Sequence, residues 1–238
     1  MTWCEYPGHF LAIEVLERYG CRMMGGLAMT LQLVAISIVL GFFLGLGLAI
    51  LRLRGPAPVR WLIQGYTTFF RGTPLLCQLF LIYYGLGAFR PFWQHVGLWW
   101  FFRDPLYCCL FSFTINTAAY QAEIFRGSLQ ALPKGQIEAG RALGLRPWAI
   151  FLKIEMPQAL IIGLRPLGNE LITMIKASAI ASLVTLYDLM GATRLAFARS
   201  FDLSIYVAAA LIYLALVEVI RRVWDVLEMR LTRHLAMR

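Results

Sequence analysis

Apolar and polar positions divide the chain into long blocks separated by short charged stretches. Residues 27–51, LAMTLQLVAISIVLGFFLGLGLAIL, contain no charge, and at about 1.5 Å rise per residue a helix of this length crosses a hydrocarbon core of about 30 Å. A secretory signal has a shorter apolar core, of roughly 7–15 residues, so the run predicts a membrane span rather than a cleaved leader. Four further spans follow, at 61–89, 105–123, 160–188 and 203–220. The second is broken at FFRGTPLL (69–76), where Pro74 cannot continue a helical ladder and Gly72 loosens the turn. The pattern predicts an all-α membrane protein with five transmembrane helices over 27–220, an extracytoplasmic segment 1–26 and a cytoplasmic tail 221–238.

Between the third and fourth spans lies a polar, basic, glycine-broken insert, whose core is QIEAGRALGLRPWAIFLKIEMPQAL (136–160). Its spacing predicts two short helices. The first begins after Pro133, carries little bulk at Ala139, Gly140 and Ala142, and stops at Gly144, a natural glycine terminator. The second restarts with Pro147 in its first turn, places Trp148, Phe151 and Leu152 on one face, and ends before Pro157.

Composition sharpens this picture: 60% hydrophobic and 15% charged residues exclude a soluble single-core domain. Fifteen of the 22 Lys and Arg residues fall on one side of the predicted spans, in the loop after the first span, at Arg71, in the insert and in the tail. Short loops rich in these residues stay cytoplasmic, so the insert (about 126–158) and the C-terminus are expected inside and the N-terminus outside. The net charge of +9 is therefore a topology signal; it offers no basic soluble face for nucleic acid. Cys77, Cys108 and Cys109 sit in apolar runs as small hydrophobes, and Cys4 and Cys21 can pair only in an oxidising compartment. His9, His95 and His234 are scattered, so no metal site is expected.

The insert resembles the cytoplasmic loop of the permease subunits of bacterial ABC importers, with its pattern E-A-A, three residues, Gly, nine residues, Ile-x-Leu-Pro. Glu138, Ala139, Gly140, Gly144, Ile154, Met156 and Pro157 occupy those positions, with Gly140 in place of the third alanine and Met156 in place of leucine. RGTPLLCQLFLIYYG (71–85), AAYQAEIFRGSLQALPKGQIEAGRALG (118–144) and NELITMIKASAIASLV (169–184) are similar to the polar-amino-acid branch, particularly histidine, basic-amino-acid and opine permeases. The resemblance implies the type I importer permease fold, with the loop as a coupling helix docked on an ATPase subunit. An amphipathic connector lying on the membrane is the competing reading of the loop. The implied partners are a second permease subunit, two ATPase subunits that hold ATP and Mg, an extracytoplasmic substrate-binding protein, and lipid.

Ionisable groups within a span cost roughly 2.5–3.5 kcal/mol each, so Glu170 and Lys176 require partners or a wet cavity. Six residues apart on a helix, they point to different faces. Glu170, supported by Asn169, is the candidate for attracting the ammonium or cationic side chain of an amino acid in the substrate pathway. Lys176 is the candidate for a carboxylate or for the neighbouring subunit, and both residues can instead bond to other helices. Asn116, Tyr120 and Glu123 share a face of the third span, although Glu123 can simply pair with Arg126. Arg71 is expected to hold carbonyls freed by Pro74, with contact to substrate as the alternative role. Gly41 and Gly45, and the small residues of KASAIAS (176–182), suit close helix packing.

No G-x-x-x-x-G-K-[ST] phosphate loop and no catalytic constellation occurs in the sequence, so the chain is expected to be no enzyme and to carry no cofactor of its own. A self-sufficient secondary transporter is the rival reading, but no convincing inverted repeat of spans is visible. Five helices are too few to enclose a solute path, which predicts a pathway at a subunit interface.

Overall fold

The computed structural model describes residues 14–233, with side chains described from Tyr19. Every regular element among them is helical: α1 (Glu14–Arg54), α2 (Ala57–Gly72), α3 (Leu75–Phe80), α4 (Arg90–His95), α5 (Trp99–Arg103), α6 (Pro105–Gln130), α7 (Lys134–Ala142), α8 (Pro147–Ile150), α9 (Met156–Ala177), α10 (Leu189–Ser200) and α11 (Ser204–Thr232). Four helical stretches among the described residues are long and apolar enough to cross a membrane: Tyr19–Arg54, Leu75–His95, Pro147–Val184 and Ser204–Thr232. Their outer faces leave large apolar side chains uncovered, with Phe43 67% and Leu214 65% exposed. Such a surface suits lipid or a partner helix and does not suit water.

α6 is the axis of the bundle. Pro105 opens it, Asp104 caps it by accepting the Leu106 N–H at 2.9 Å, and it runs for 26 residues. Its length suffices to span, but it buries Ser112, Asn116, Thr117, Gln121 and Ser128 among its neighbours and so lacks the apolarity of a lipid-facing helix. α1 lies along it in the most extensive helix pair of the molecule, and α2, α3 and α9 pack against it as well. Gly41 and Gly45 make the α1 contact possible: a Cβ at Gly41 would fall 2.4 Å from Thr117 Cγ2, and one at Gly45 would fall 2.9 Å from the Ala118 carbonyl oxygen.

The structure corrects several expected boundaries. The break expected at 69–76 in the second span falls at Thr73 and Pro74, which are extended and separate α2 from the apolar stretch beyond, so the stretch long and apolar enough to cross is Leu75–His95 and not 61–89. Proline at 74 has no N–H to give and restricts the residue before it. The second helix of the insert does not stop before Pro157. It passes from α8 through a wider π turn, Phe151–Glu155, directly into α9, with Pro157 in the first turn of the new segment, where its missing N–H costs no helical bond. KASAIAS tightens into a 3-10 helix over Ser178–Val184 instead of presenting an α-helical small-residue ridge. The supposed tail continues α11 to Thr232. α10 was not expected at all; Asp188 caps it by accepting the Gly191 N–H at 2.8 Å.

Cys77, Cys108 and Cys109 are free thiols, the last two buried. The question of a pair between Cys4 and Cys21 falls on Cys4, which lies outside the described residues, as do His9 and His234.

Candidate functional site: a membrane cavity and the loop beneath it

A cavity of about 340 Å³ opens where the α2–α3 break faces α6 and α9. The break matters because it frees carbonyls that the helices cannot satisfy. Gln78 Nε2 donates to the Phe70 carbonyl at 2.9 Å and to the Thr73 carbonyl at 3.0 Å, while Asn116 Nδ2 donates to the Phe70 carbonyl at 3.1 Å and to Gln78 Oε1 at 2.9 Å. Two amides therefore do the work expected of Arg71. The Arg71 guanidinium is released into the cavity instead, 5.5 Å from the centre of the Tyr120 ring.

Of the five residues proposed for a pathway, Glu170, Asn116 and Tyr120 line this cavity. Among the described residues on its wall, Glu170 is the single acid and Arg71 the single base. Glu170 is 8% exposed and accepts a hydrogen bond from Thr117 Oγ1 at 2.8 Å, which fixes one carboxylate oxygen. The other two residues are elsewhere. Asn169 turns to a second cavity with Arg165, Arg221, Trp224, Asp225 and Glu228. Lys176 lines a largely apolar pocket with Tyr206 and Tyr213 on the α11 side. Glu170 and Lys176 thus diverge as their spacing predicts and line different cavities. Glu123 is drawn away from the cavity by Arg52 and Arg126.

Thr117 was missed as a partner of the cavity, and Arg71 was given a structural role in preference to substrate contact. An intramembrane arginine beside a Gly-Thr-Pro break was a visible signal for Arg71. Thr117 gave none, since a threonine on a helix is ordinary until its neighbours are known.

Below the cavity, α7 and α8 form the elbow read from the sequence. Gly144 has φ +73°, the left-handed conformation that glycine adopts without penalty. Its N–H donates to the Arg141 carbonyl and the Leu145 N–H reaches back to the Gly140 carbonyl at 3.1 Å, the Schellman pattern that closes a helix. The predicted coupling residues divide into two sets. Gly140 is buried, and a Cβ there would crowd Ile154 at 3.2 Å and Ile150 at 3.3 Å, so Gly140 and Ile154 hold the elbow shut from inside. Glu138, Ala139 and Gly144 are exposed, and next to them Leu143 is 80% exposed with no cover in the chain. Pro157 stands at the start of α9 and is also exposed. Small size at Gly140 therefore serves packing within the loop.

No group of three His, Cys, Asp or Glu side chains able to share a metal ion occurs among the described residues.

Comparison with known proteins agrees with this architecture. The model of the family "binding-protein-dependent transport system inner membrane component" matches residues 26–233. The nopaline transport system permease protein NocM of Agrobacterium fabrum is 36% identical over 218 residues, covering 91% of this chain and 90% of that protein. The octopine transport system permease protein OccM of Rhizobium radiobacter is 38% identical over 210 residues, 87% of this chain and 84% of its own length. Among solved structures, an amino acid ABC transporter crystallised with histidines superposes with a TM-score of 0.79 at 30% identity, over 92% of this chain and 99% of that one. The spans, the elbowed loop and these matches over nearly the whole length together place the chain in the family of binding-protein-dependent transport system inner membrane components, as a multi-pass permease subunit of an ABC importer with the type I fold.

Proposed function

We propose that the cavity around Glu170 is where the transported molecule is held in the membrane, and that the molecule is an amino acid with a cationic group or an opine. The observation that carries this reading is the pairing of one acid with one base on the wall of a single intramembrane cavity. A zwitterion offers an ammonium to Glu170 and a carboxylate to Arg71, which compensates the cost of keeping both charges out of water. Asn116 and Tyr120 supply neutral hydrogen-bonding groups between them. Relatives named for nopaline and octopine support the same class of cargo.

Arginine and lysine placement puts the elbowed loop and the C-terminus in the cytoplasm and the N-terminus outside. The family supplies the partners by type, an ATPase and a substrate-binding protein. In the arrangement we favour, this subunit joins a second, identical or homologous permease. Two ATPase subunits bind ATP and Mg and hydrolyse it, an extracytoplasmic binding protein delivers cargo, and the loop docks on an ATPase through Glu138, Ala139, Leu143 and Gly144. Closure of the ATPases pushes the loop, and the paired permeases alternate between outward and inward access.

Glu170→Gln tests the cargo reading. The amide keeps an oxygen for Thr117 but loses the charge, so transport of a cationic amino acid such as arginine falls at least tenfold, mainly through a raised KM, with insertion unchanged. Unaltered arginine kinetics would remove Glu170 from the cargo site.

A further inference from the structure

The loop is covalently joined to α6 and α9, so its movement reaches those helices along the chain itself. α1 has no such connection, yet it forms the longest wall of the bundle and touches the group that orients Glu170. A set of side-chain contacts bridges that gap. At its cytoplasmic end Arg54, the last residue of α1, pairs with Glu155 Oε2 at 2.5 Å across 101 positions of sequence. The same guanidinium lies 4.5 Å from the centre of the Phe151 ring. Phe151 and Glu155 are the first and last residues of the π turn that joins the loop to α9, and single π turns recur at functional sites. Two residues earlier, Arg52 pairs with Glu123 of α6 and donates to Thr67 Oγ1 of α2 at 3.3 Å.

At the other end of this stretch, Gly41 rests directly on Thr117, the residue whose hydroxyl holds Glu170. Gln121 fastens the contact, donating to the Ile38 carbonyl of α1 at 3.3 Å and to Thr117 Oγ1 at 3.1 Å. From Arg54 to Gly41 is 13 residues of unbroken helix, a rod of about 20 Å. With no Cβ at position 41, there is no slack between the rod and Thr117.

We propose that α1 is a push-rod: Arg54 clamps it to the docking loop through Glu155 and Phe151, and Gly41 delivers its displacement to Thr117 and hence to the Glu170 carboxylate. Arg54 is a positioning residue; it touches neither cargo nor nucleotide. The inference rests on the docking role proposed above for the loop. It assigns to the first span a transmitting part in addition to its place against lipid.

The test uses the complete importer in vesicles, with Thr173→Cys placed in the cavity wall as a reporter and Cys77→Ser to lower background labelling. The rate of reaction with a membrane-impermeant maleimide is measured with and without ATP and vanadate, beside basal ATP hydrolysis and co-purification of the ATPase. In the otherwise unmodified chain, nucleotide changes the labelling rate at least fivefold. R54E and E155R each abolish that change while the ATPase still co-purifies and basal hydrolysis stays within twofold; the exchange R54E/E155R restores it to at least half. A nucleotide response that persists in both single variants overturns the push-rod and leaves docking intact, and a loss that the exchange fails to repair overturns it too. Failure of any ATPase to co-purify with the unmodified chain would instead overturn the docking reading, and the push-rod with it.

Discussion

The loop-bearing end of the molecule and the middle around Glu170 are held together by different chemistry. At the loop end, the ties between distant helices are ion pairs: Arg54 with Glu155, Arg52 with Glu123, and Arg165 with Glu228. In the middle they are amides and hydroxyls: Asn116 with Gln78, Gln121 with Thr117, and Thr117 with Glu170. Solvation explains the division. Near water, a charge such as that of Arg165 can leave one partner for another at small cost, because exposed pairs contribute only about 0–1 kcal/mol, whereas Arg52 and Glu123 are mostly buried. Within hydrocarbon a lone charge is expensive, and neutral groups fix geometry without that liability. The lesson is that the loop end is tied by ion pairs and the cavity by neutral bonds, with Glu170 and Arg71 as the charges on the cavity wall that the proposed function assigns to cargo.

Breaking the elbow gives the largest expected effect. Gly144→Pro forces φ to about −65° where the chain requires +73°, so uptake falls at least tenfold while the ATPase keeps hydrolysing and the protein still inserts; parallel uptake and hydrolysis assays measure the split. Breaking the fixed middle is next. Asn116→Leu leaves Gln78 Oε1 without its donor and the Phe70 carbonyl with only the Gln78 amide, costing about 1–3 kcal/mol, which appears as a fall of roughly 2–10 °C in thermal unfolding in detergent.

Asp188 sharpens the comparison, because it is a buried carboxylate at the end opposite the loop, between the span that closes at Val184 and α10. Burial pushes its pKa up from 3.8 to about 6, and the Gly191 N–H offsets this only in part. A carboxyl raised by folding adds stability below about pH 3.8, and this is lost as pH rises through about 6. Asp188→Asn therefore unfolds at a higher temperature than the unmodified chain at pH 8, and the gap closes towards pH 4. Smallest of all is Arg165→Ala. Its pair with Glu228 is at the exposed end, with the Arg165 side chain 82% accessible, so the change stays within about 1 kcal/mol and barely moves the same melting curve.

How much of this was legible in the sequence depends on which energies dominated locally. The uncharged run at 27–51 declared α1 because no other environment suits it. Gly144 declared the elbow because its backbone needs a left-handed residue. Pro157 misled: a proline reads as a stop, but the π turn over Phe151–Glu155 lets it open the next segment. α10 escaped because LMGATRLAFARS is short and mixed in character, and its signal was the Asp188 cap alone. The wheel argument separated Glu170 from Lys176 correctly. It could not say which of them met Asn116 and Tyr120, since that depends on how α9 turns against α6, a tertiary fact. The same holds for Asn169, one residue from Glu170 and facing another cavity.

The central claim is that the elbow transmits work from a separate ATP-hydrolysing subunit. A photo-activated cross-linker in place of Leu143, in native membranes, tests it most directly. The account predicts a single major adduct with the ATPase, whose yield changes when ATP and vanadate are added. Adducts confined to lipid or to the binding protein would contradict it.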